Sequence, residues 1–173
     1  MQLSSDTLQV IKNFATINHG IEFKAGSKIR TISVGKTILA EANIKESFPE
    51  DFCVYDLNQF LSAYTLFKDG VPELDFDTAN ILFKLGNKKL KYRKTARETI
   101  FPAPDKNLAL PSIDVAFELK AEDYDYIMRA ANILSSPNIA VVSDGEEVSL
   151  VTLDAKDNSV HTNHLTIANI ADG

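Results

Sequence analysis

The sequence predicts an α+β fold in which helices pack on one face of largely antiparallel sheets. Three segments carry apolar residues at the three- and four-residue spacing of an amphipathic helix. Each is followed by runs with the alternation and turn signals of short strands. At 173 residues the chain has room for one large domain or two small ones.

The first helix is predicted from about Ser5 to Ile17, with Ser4 or Ser5 as its cap. Its apolar face holds Val10, Ile11, Phe14 and Ile17, and its polar stripe holds Ser5, Gln9, Lys12 and Thr16. Three strands are predicted to follow, separated by turns at residues 25–27 and 35–36: Gly20–Lys24, Ile29–Val34 and Thr37–Ile44.

The second helix is predicted to start near Asp56, after the short strand 52–55, and to stop at residues 68–70. Its apolar face would hold Leu57, Phe60, Leu61, Tyr64 and Phe67. Three strands are expected next, at Glu73–Asp77, Ile81–Leu85 and Lys88–Lys94. A two-residue turn at Gly86 and Asn87 would join the last two.

A proline-rich linker without periodicity is predicted over residues 101–114. Beyond it we expect a strand at Val115–Leu119 and a helix from about Glu122 to Leu134. That helix should bury Tyr124, Ile127, Met128, Ala131 and Leu134 and should expose Glu122, Asp125, Arg129 and Asn132. Strands should follow near Ile139–Ser143, Val148–Leu153 and His164–Ile170.

A shift of 117 residues lays the first helix on the third, so that Val10 meets Ile127 and Lys12 meets Arg129. Such repetition implies a repeated structural unit. Residues 1–100 would then form one domain of two units, and residues 115–173 would form the first half of a second, incomplete domain. This count predicts a chain truncated at its C-terminus.

Composition points to a soluble cytoplasmic protein. No apolar run is long enough for a membrane-spanning helix, the N-terminus lacks a secretion signal, and the single Cys53 predicts a reduced, buried thiol. The net charge of −6 argues against a protein that simply coats nucleic acid, but not against one whose cations lie on a single surface.

Five segments, in order and spread over nearly the whole chain, carry a family resemblance: KNFATIN at 12–18, AEANI at 40–44, YDLNQFL at 55–61, TIFPA at 99–103 and KAED at 120–123. They resemble the sliding clamps of T-even phages, although residues 69–94 match poorly and the family's last helix has no counterpart. The resemblance implies two clamp domains per subunit, three subunits in a ring, helices lining the hole, and a polymerase and a clamp loader bound outside near the linker.

Lys12 and Arg129 are the strongest candidates to face DNA, with Lys68 a weaker third, because sliding requires phosphate contacts without base readout. Solvated helix residues are the alternative. The densest basic run is interpreted as strands kept soluble by lysines, with a nucleic-acid patch as the alternative. It comprises Lys84, Lys88, Lys89, Lys91, Arg93, Lys94 and Arg97.

The linker supplies candidate partner-binding residues, since the resemblance places an apolar pocket for partner peptides beside it. They are Ile100, Phe101, Leu108, Leu110 and Pro111. Packing beneath the loop is an equal alternative.

No enzyme, metal or cofactor pattern is found. Gly35-Lys36-Thr37 lacks the first glycine of a phosphate-binding loop, because Arg30 stands there. The alternating acids Glu73, Asp75 and Asp77 favour a solvated strand face over a metal site, and His161 and His164 lack ligand partners at zinc spacing.

The sequence therefore predicts a clamp that encircles duplex DNA and tethers a polymerase in the cytoplasm of a phage host, with a non-encircling, protein-binding adaptor as the alternative. The family predicts a homotrimer. An incomplete third unit that leaves Tyr124, Ile127 and Met128 half covered suggests instead a dimer that pairs two such units.

Overall fold

The computed structural model describes residues 1–106, 117–157 and 159–169. The chain divides into two compact units, residues 1–108 (unit 1) and residues 109–173 (unit 2). Within the described residues the pattern of a helix followed by an antiparallel strand meander occurs three times, twice in unit 1 and once in unit 2. The predicted α+β class is confirmed.

Helix α1, Ser5–Ile17, begins as the sequence predicts. Its cap is Ser4, whose Oγ accepts a hydrogen bond from the Thr7 amide at 3.3 Å. The strands that follow are β1 (Ile21–Phe23), β2 (Gly26–Ile32), β3 (Leu39–Phe48) and β4 (Phe52–Val54). They form an antiparallel sheet in the order β3-β2-β1-β4.

Helix α2, Leu57–Thr65, is capped by Asp56, whose carboxylate accepts from the amides of Asn58 and Gln59. Three strands follow: β5 (Glu73–Phe76), β6 (Asn80–Leu85) and β7 (Lys88–Arg93). They form a second sheet in the order β5-β6-β7, and Gly86 in the last hairpin has a φ of +57°. The predicted hairpin at Gly86 and Asn87 is confirmed.

An aromatic cluster forms the core of unit 1 between the helices and the two sheets. Phe23, Phe60 and Phe83 are at most 1% exposed. The Phe60 ring lies 5.5 Å from that of Phe83 and 5.7 Å from that of Tyr92, both in edge-to-face geometry. These rings pack α2 closely against the second sheet. The position of the exposed face of α2 is therefore set by the core beneath it.

A carboxylate from β3 fastens the start of α1. Glu46 accepts hydrogen bonds from the Ser4 amide and the Thr7 hydroxyl. Burial of Glu46 disfavours its ionised form, but the bonds from Thr7 and Ser4 outweigh that effect and lower its pKa below the ordinary 4.5. The ionised carboxylate is therefore the form that joins helix and sheet.

This contact predicts a pH dependence of stability. Because the folded-state pKa of Glu46 is depressed, its contribution is present above the ordinary value of 4.5 and is lost as pH falls through the lowered pKa. We expect Glu46→Gln to destabilise the chain by about 1 kcal/mol at pH 7, and the difference from wild type to shrink below pH 4.5. Urea unfolding across pH measures it; a difference that grows on acidification contradicts the prediction.

Unit 2 repeats the plan of the first meander. Helix α3, Ala121–Leu134, is followed by β8 (Asn138–Ser143), β9 (Glu147–Leu153) and β10 (Asn163–Asn169). These strands are antiparallel in the order β10-β9-β8. Ile127 and Ala131 are the buried residues of the helix, at 1% and 8% exposure.

Several predicted boundaries in unit 1 are wrong, among them the end of β2 at Ile32 and the start of β3 at Leu39, each two residues inside the predicted strand. Helix α2 ends at Thr65, before the predicted stop at residues 68–70, although Phe67 is buried. Strand β2 already begins at Gly26, which was predicted to be a turn, because a register shift after Gly26 at a φ of +107° lets pairing with β3 continue. Strand β3 runs on to Phe48, because Gly26 pairs with Phe48 at its far end.

Three predictions for unit 2 are also wrong. Tyr124 and Met128 are 52% and 37% exposed and Leu134 is half-buried, since the helix points only Ile127 and Ala131 fully into its sheet. The expected half coverage therefore holds for Tyr124 and Met128 but is wrong for Ile127, which is 1% exposed. Residues 117–119 are not a strand, and the rest of that predicted strand lies outside the described residues.

The third wrong prediction is the register of the repeat. Helices α1 and α3 start at Ser5 and Ala121, so the repeat has a shift of 116 residues and Lys12 corresponds to Met128.

The new register agrees with burial, because it pairs Ile11 with Ile127 and Ala15 with Ala131, all of them buried.

In the described part of the chain, no helix is both long enough and apolar enough to cross a membrane. Cys53 is buried on β4 as predicted, and burial raises the pKa of its thiol, with the nearby Glu22 carboxylate acting in the same direction.

Candidate DNA-facing surface and partner cleft

The outer face of α1 and α2 carries a shallow groove of about 450 Å³ that contains one cation. Lys12 lies in it and is exposed, without an ion-pair partner among the described residues. The other polar residues of the groove are neutral: Gln9, Asn58, Ser62 and Thr65. A single ammonium among amides and hydroxyls suits weak contact with a phosphate backbone.

The other two candidate DNA-facing cations are also exposed. Lys68 lies just beyond α2, in the turn after Leu66. Arg129 lies on α3, where its Nε donates to the Asp125 backbone oxygen at 3.2 Å, so the helix itself orients the guanidinium. The exposed Glu122 and Asp125 share that helix, so the potential at α3 is less positive than at the groove around Lys12.

The basic run lies on the β6-β7 hairpin and the segment after it, and the structure divides it in two. Four members are ion-paired with acids: Lys84 with Asp75, Lys88 with Asp69, Lys94 with Glu50 and Arg97 with Glu22. Lys89, Lys91 and Arg93 are exposed at alternate positions of β7, on the face opposite the core residue Tyr92. A nucleic-acid role for this strand stays a prediction.

A cavity of about 530 Å³, which we name the partner cleft, lies beside the start of the linker. Ile100 and Phe101 of the linker line it together with Val34 and Tyr55, which are 71% and 66% exposed. The Lys36 ammonium lies 5.6 Å from the centroid of the Phe101 ring. Exposed apolar side chains around a cavity are typical of a site that binds another protein.

The other linker candidates, Leu108, Leu110 and Pro111, lie outside the described residues. Sequence reasoning missed four other lining residues of the partner cleft: Val34, Tyr55, Asn18 and His19. There was a local indication that Tyr55 is exposed, because a tyrosine directly before a helix cap does not belong to the apolar face of that helix. For Val34 the only indication of exposure was its position before a turn.

Two side chains and one glycine hold the linker wall. Asn18 is 8% exposed, and its Nδ2 donates to the backbone oxygens of Ile32 at 2.9 Å and of Phe101 at 3.1 Å. Gly20 is needed beneath the wall, because a Cβ there would lie 2.8 Å from Ile100 Cγ2. Further along, Arg30 donates to the backbone oxygens of Pro104 and Asp105 while its guanidinium also pairs with Glu41.

The three alternating acids lie where the sequence predicts, at the start, the middle and just past the end of strand β5. Asp75 pairs with Lys84, Asp77 accepts from the amides of Ala79 and Asn80, and Glu73 lies 3.9 Å from the N-terminal ammonium. His164 is on β10 and His161 precedes that strand. No group of metal-ligating side chains occurs within residues 1–106, 117–157 and 159–169.

Comparison with known proteins gives one consistent family. Residues 4–93 match the family model described as DNA polymerase processivity factor. The chain is 35% identical to the sliding clamp of Vibrio phage KVP40, over 96% of this chain and 77% of that protein. It is 36% identical to the sliding clamps of Escherichia phage RB69 and Enterobacteria phage T4.

Those two alignments cover 86% of this chain and 65% of each relative, so the chain spans about two thirds of their length. The family model, the relatives and the repeated helix-and-meander architecture agree with one another. The chain belongs to the DNA polymerase processivity factor family, the family of the phage sliding clamps.

Proposed function

We propose that this chain is a sliding clamp, which encircles duplex DNA and tethers a replicative DNA polymerase without catalysing a reaction. The observation that carries the proposal is the groove on α1 and α2, in which Lys12 is the single cation among neutral amides and hydroxyls. Such a face attracts phosphates without fixing the register, because it offers charge and hydrogen bonds to a backbone that repeats regularly. Loose contact of this kind permits sliding.

Within this proposal, Lys12, Lys68 and Arg129 face the DNA, and the partner cleft receives an apolar segment of the polymerase or of the clamp loader. Ile100 and Phe101 would contact that segment, and Leu108, Leu110 and Pro111 stay proposed partner-binding residues from the sequence alone. The exposed Tyr55 and Phe101 in the lining of the cleft support this role, since aromatic side chains dominate the energetics of many interfaces.

The proposed domain organisation is a clamp domain at residues 1–100, a linker at 101–114 and part of a second clamp domain from residue 115. A homotrimeric ring in the cytoplasm of the phage host is the proposed assembly, with a dimer as the alternative. Strand β8 supports self-association, because it is an edge of its sheet, pairs only with β9 among the described strands and exposes Ile139, Val141 and Val142 without a charged residue. An edge of this kind can accept a strand of another chain.

The experiment that tests encirclement compares retention on circular and linear DNA. The chain is loaded onto nicked circular duplex with a T-even phage clamp loader and ATP, and the bound fraction is followed by gel filtration. We expect retention on the circle and rapid loss after a restriction cut, because a ring slides off a free end. Equal retention before and after the cut would show direct adhesion to DNA. Polymerase binding without retention on circles would show a non-encircling adaptor.

Charge removal tests the DNA-facing surface. We expect Lys12→Ala and Arg129→Ala each to weaken DNA binding on all sequences alike and to reduce the slope of log K against log salt by about 1. Fluorescence anisotropy with duplex DNA between low and moderate salt measures the slope.

Lys88→Ala is the matched control, because it removes a lysine of β7 that is already paired with Asp69 and does not line the groove on α1 and α2. If Lys88→Ala and Lys12→Ala change the salt slope equally, the face of α1 and α2 is not the DNA-binding surface.

A further inference from the structure

The linker wall of the partner cleft has little secondary structure to hold it. A short 3-10 turn at Arg97–Thr99 ends just before Ile100, and residues 101–104 form neither helix nor strand. Phe101 nevertheless lines the cleft, at 37% exposure. Contacts from elsewhere in unit 1 must therefore set the position of its backbone.

Asn18 supplies the contact at Phe101. It follows α1 as the C-cap residue with an extended φ of −150°, which turns its side chain from the helix toward the linker. The Nδ2 group donates to Phe101 across 83 positions of sequence and to Ile32 at the end of β2. The Oδ1 atom accepts from the Gly20 amide at 3.1 Å. One carboxamide thus joins three separate segments of the chain.

The chemistry of this contact requires an amide. Both acceptors of Nδ2 are backbone carbonyl oxygens, and the acceptance from Gly20 requires an oxygen on the other branch of the same side chain. A carboxylate of equal shape keeps the bond from Gly20 but presents a lone pair and a charge to two carbonyl oxygens. The site is nearly closed to solvent, so water cannot screen that repulsion fully.

We propose that Asn18 is a positioning residue for partner binding: its carboxamide fixes Phe101 in the wall of the partner cleft before the partner arrives. The inference rests on the proposed function, in which this cleft receives the polymerase. A wall that is ordered in advance binds more tightly, because the ordering cost is not met at the moment of binding. Gly20 contributes to the same positioning, since its lack of a side chain lets Ile100 pack against the backbone there.

The test uses Asn18→Asp with Asn43→Asp as the matched control. Asn43 is exposed on β3, so the same chemical change is made in the same unit away from the cleft. The probe is phage T4 DNA polymerase extending primed circular DNA. For Asn18→Asp we expect the concentration of chain that gives half-maximal stimulation to rise about tenfold, with retention on circular DNA unchanged. Hydrogen exchange should become faster in residues 99–104.

Two further variants separate positioning from a general loss of structure. In a Phe101→Ala background, Asn18→Asp should add less than about twofold, because the residue on which it acts has been removed. Gly20→Ala displaces the same wall without a buried charge and should reproduce the shift in half-maximal concentration, so the inference stays testable if Asn18→Asp unfolds.

The outcomes distinguish the inference from the function on which it rests. If the wild-type chain gives no stimulation, the proposed function fails. If the wild-type chain stimulates the polymerase but Asn18→Asp and Gly20→Ala match it, only the role of Asn18 is overturned. Full additivity with Phe101→Ala would also overturn that role.

Discussion

Phe60→Ala is expected to lower the free energy of unfolding by about 3–5 kcal/mol, the largest single-residue effect that we predict for stability. Phe60 is 1% exposed on α2 and contacts three aromatic rings, those of Phe23, Phe83 and Tyr92. Its removal leaves a cavity between α2 and both sheets, and the tight packing of the neighbouring rings limits how far that cavity can collapse.

Such a loss is a large part of the stability of an ordinary domain, so urea unfolding should show a clear decrease in the transition midpoint. Phe101→Ala is the control, because it removes the same side chain from an exposed position and should cost less than about 1 kcal/mol. Similar midpoints for the two variants would mean that the aromatic cluster is not the core that stabilises unit 1.

Tyr55→Ala is expected to give the largest functional effect. The concentration of chain that gives half-maximal stimulation of the polymerase should rise at least about 30-fold, which corresponds to the 2 kcal/mol typical of an interface hot spot. Tyr55 lines the partner cleft together with Phe101 and is 66% exposed. Burial of its ring by a partner would remove a large apolar surface from water, whereas its loss leaves the core of the free chain intact.

The half-maximal concentration for stimulation of phage T4 DNA polymerase measures this effect. Leu66→Ala is the control, because Leu66 is 62% exposed in the same unit but does not line the cleft. Stability and retention on circular DNA should be unchanged in both variants. If Leu66→Ala and Tyr55→Ala weaken coupling to the same degree, the partner does not dock in this cleft.

The sequence predicted best those elements whose signals are local. Helix α1 was predicted with its observed bounds, because a serine cap and a regular apolar period coincide there. Asp56 at the start of α2 and Gly86 in the last hairpin were equally clear. The end of α2 was not, since Phe67 continues the apolar period beyond the last helical residue and its burial is set by packing against Phe83.

The candidate site divides in the same way. Ile100 and Phe101 were singled out from the linker, but the cleft also needs Val34 and Tyr55, which lie far from them in sequence. Asn18 drew no attention as a single residue, because its partners at Ile32 and Phe101 are known only once the chain has folded. The predicted repeat shift was likewise one residue too large, because the match of Ile11 with Ile127 becomes visible only when the burial of both residues is known.

The sequence by itself therefore determined the α+β class, the three helix-and-meander units and the exposed positions of Lys12, Lys68 and Arg129. Periodicity and caps fix these features within a few residues of chain. Only the tertiary structure decided which apolar residues of α3 are covered and which segments enclose the partner cleft, because both depend on contacts between residues that are distant in sequence.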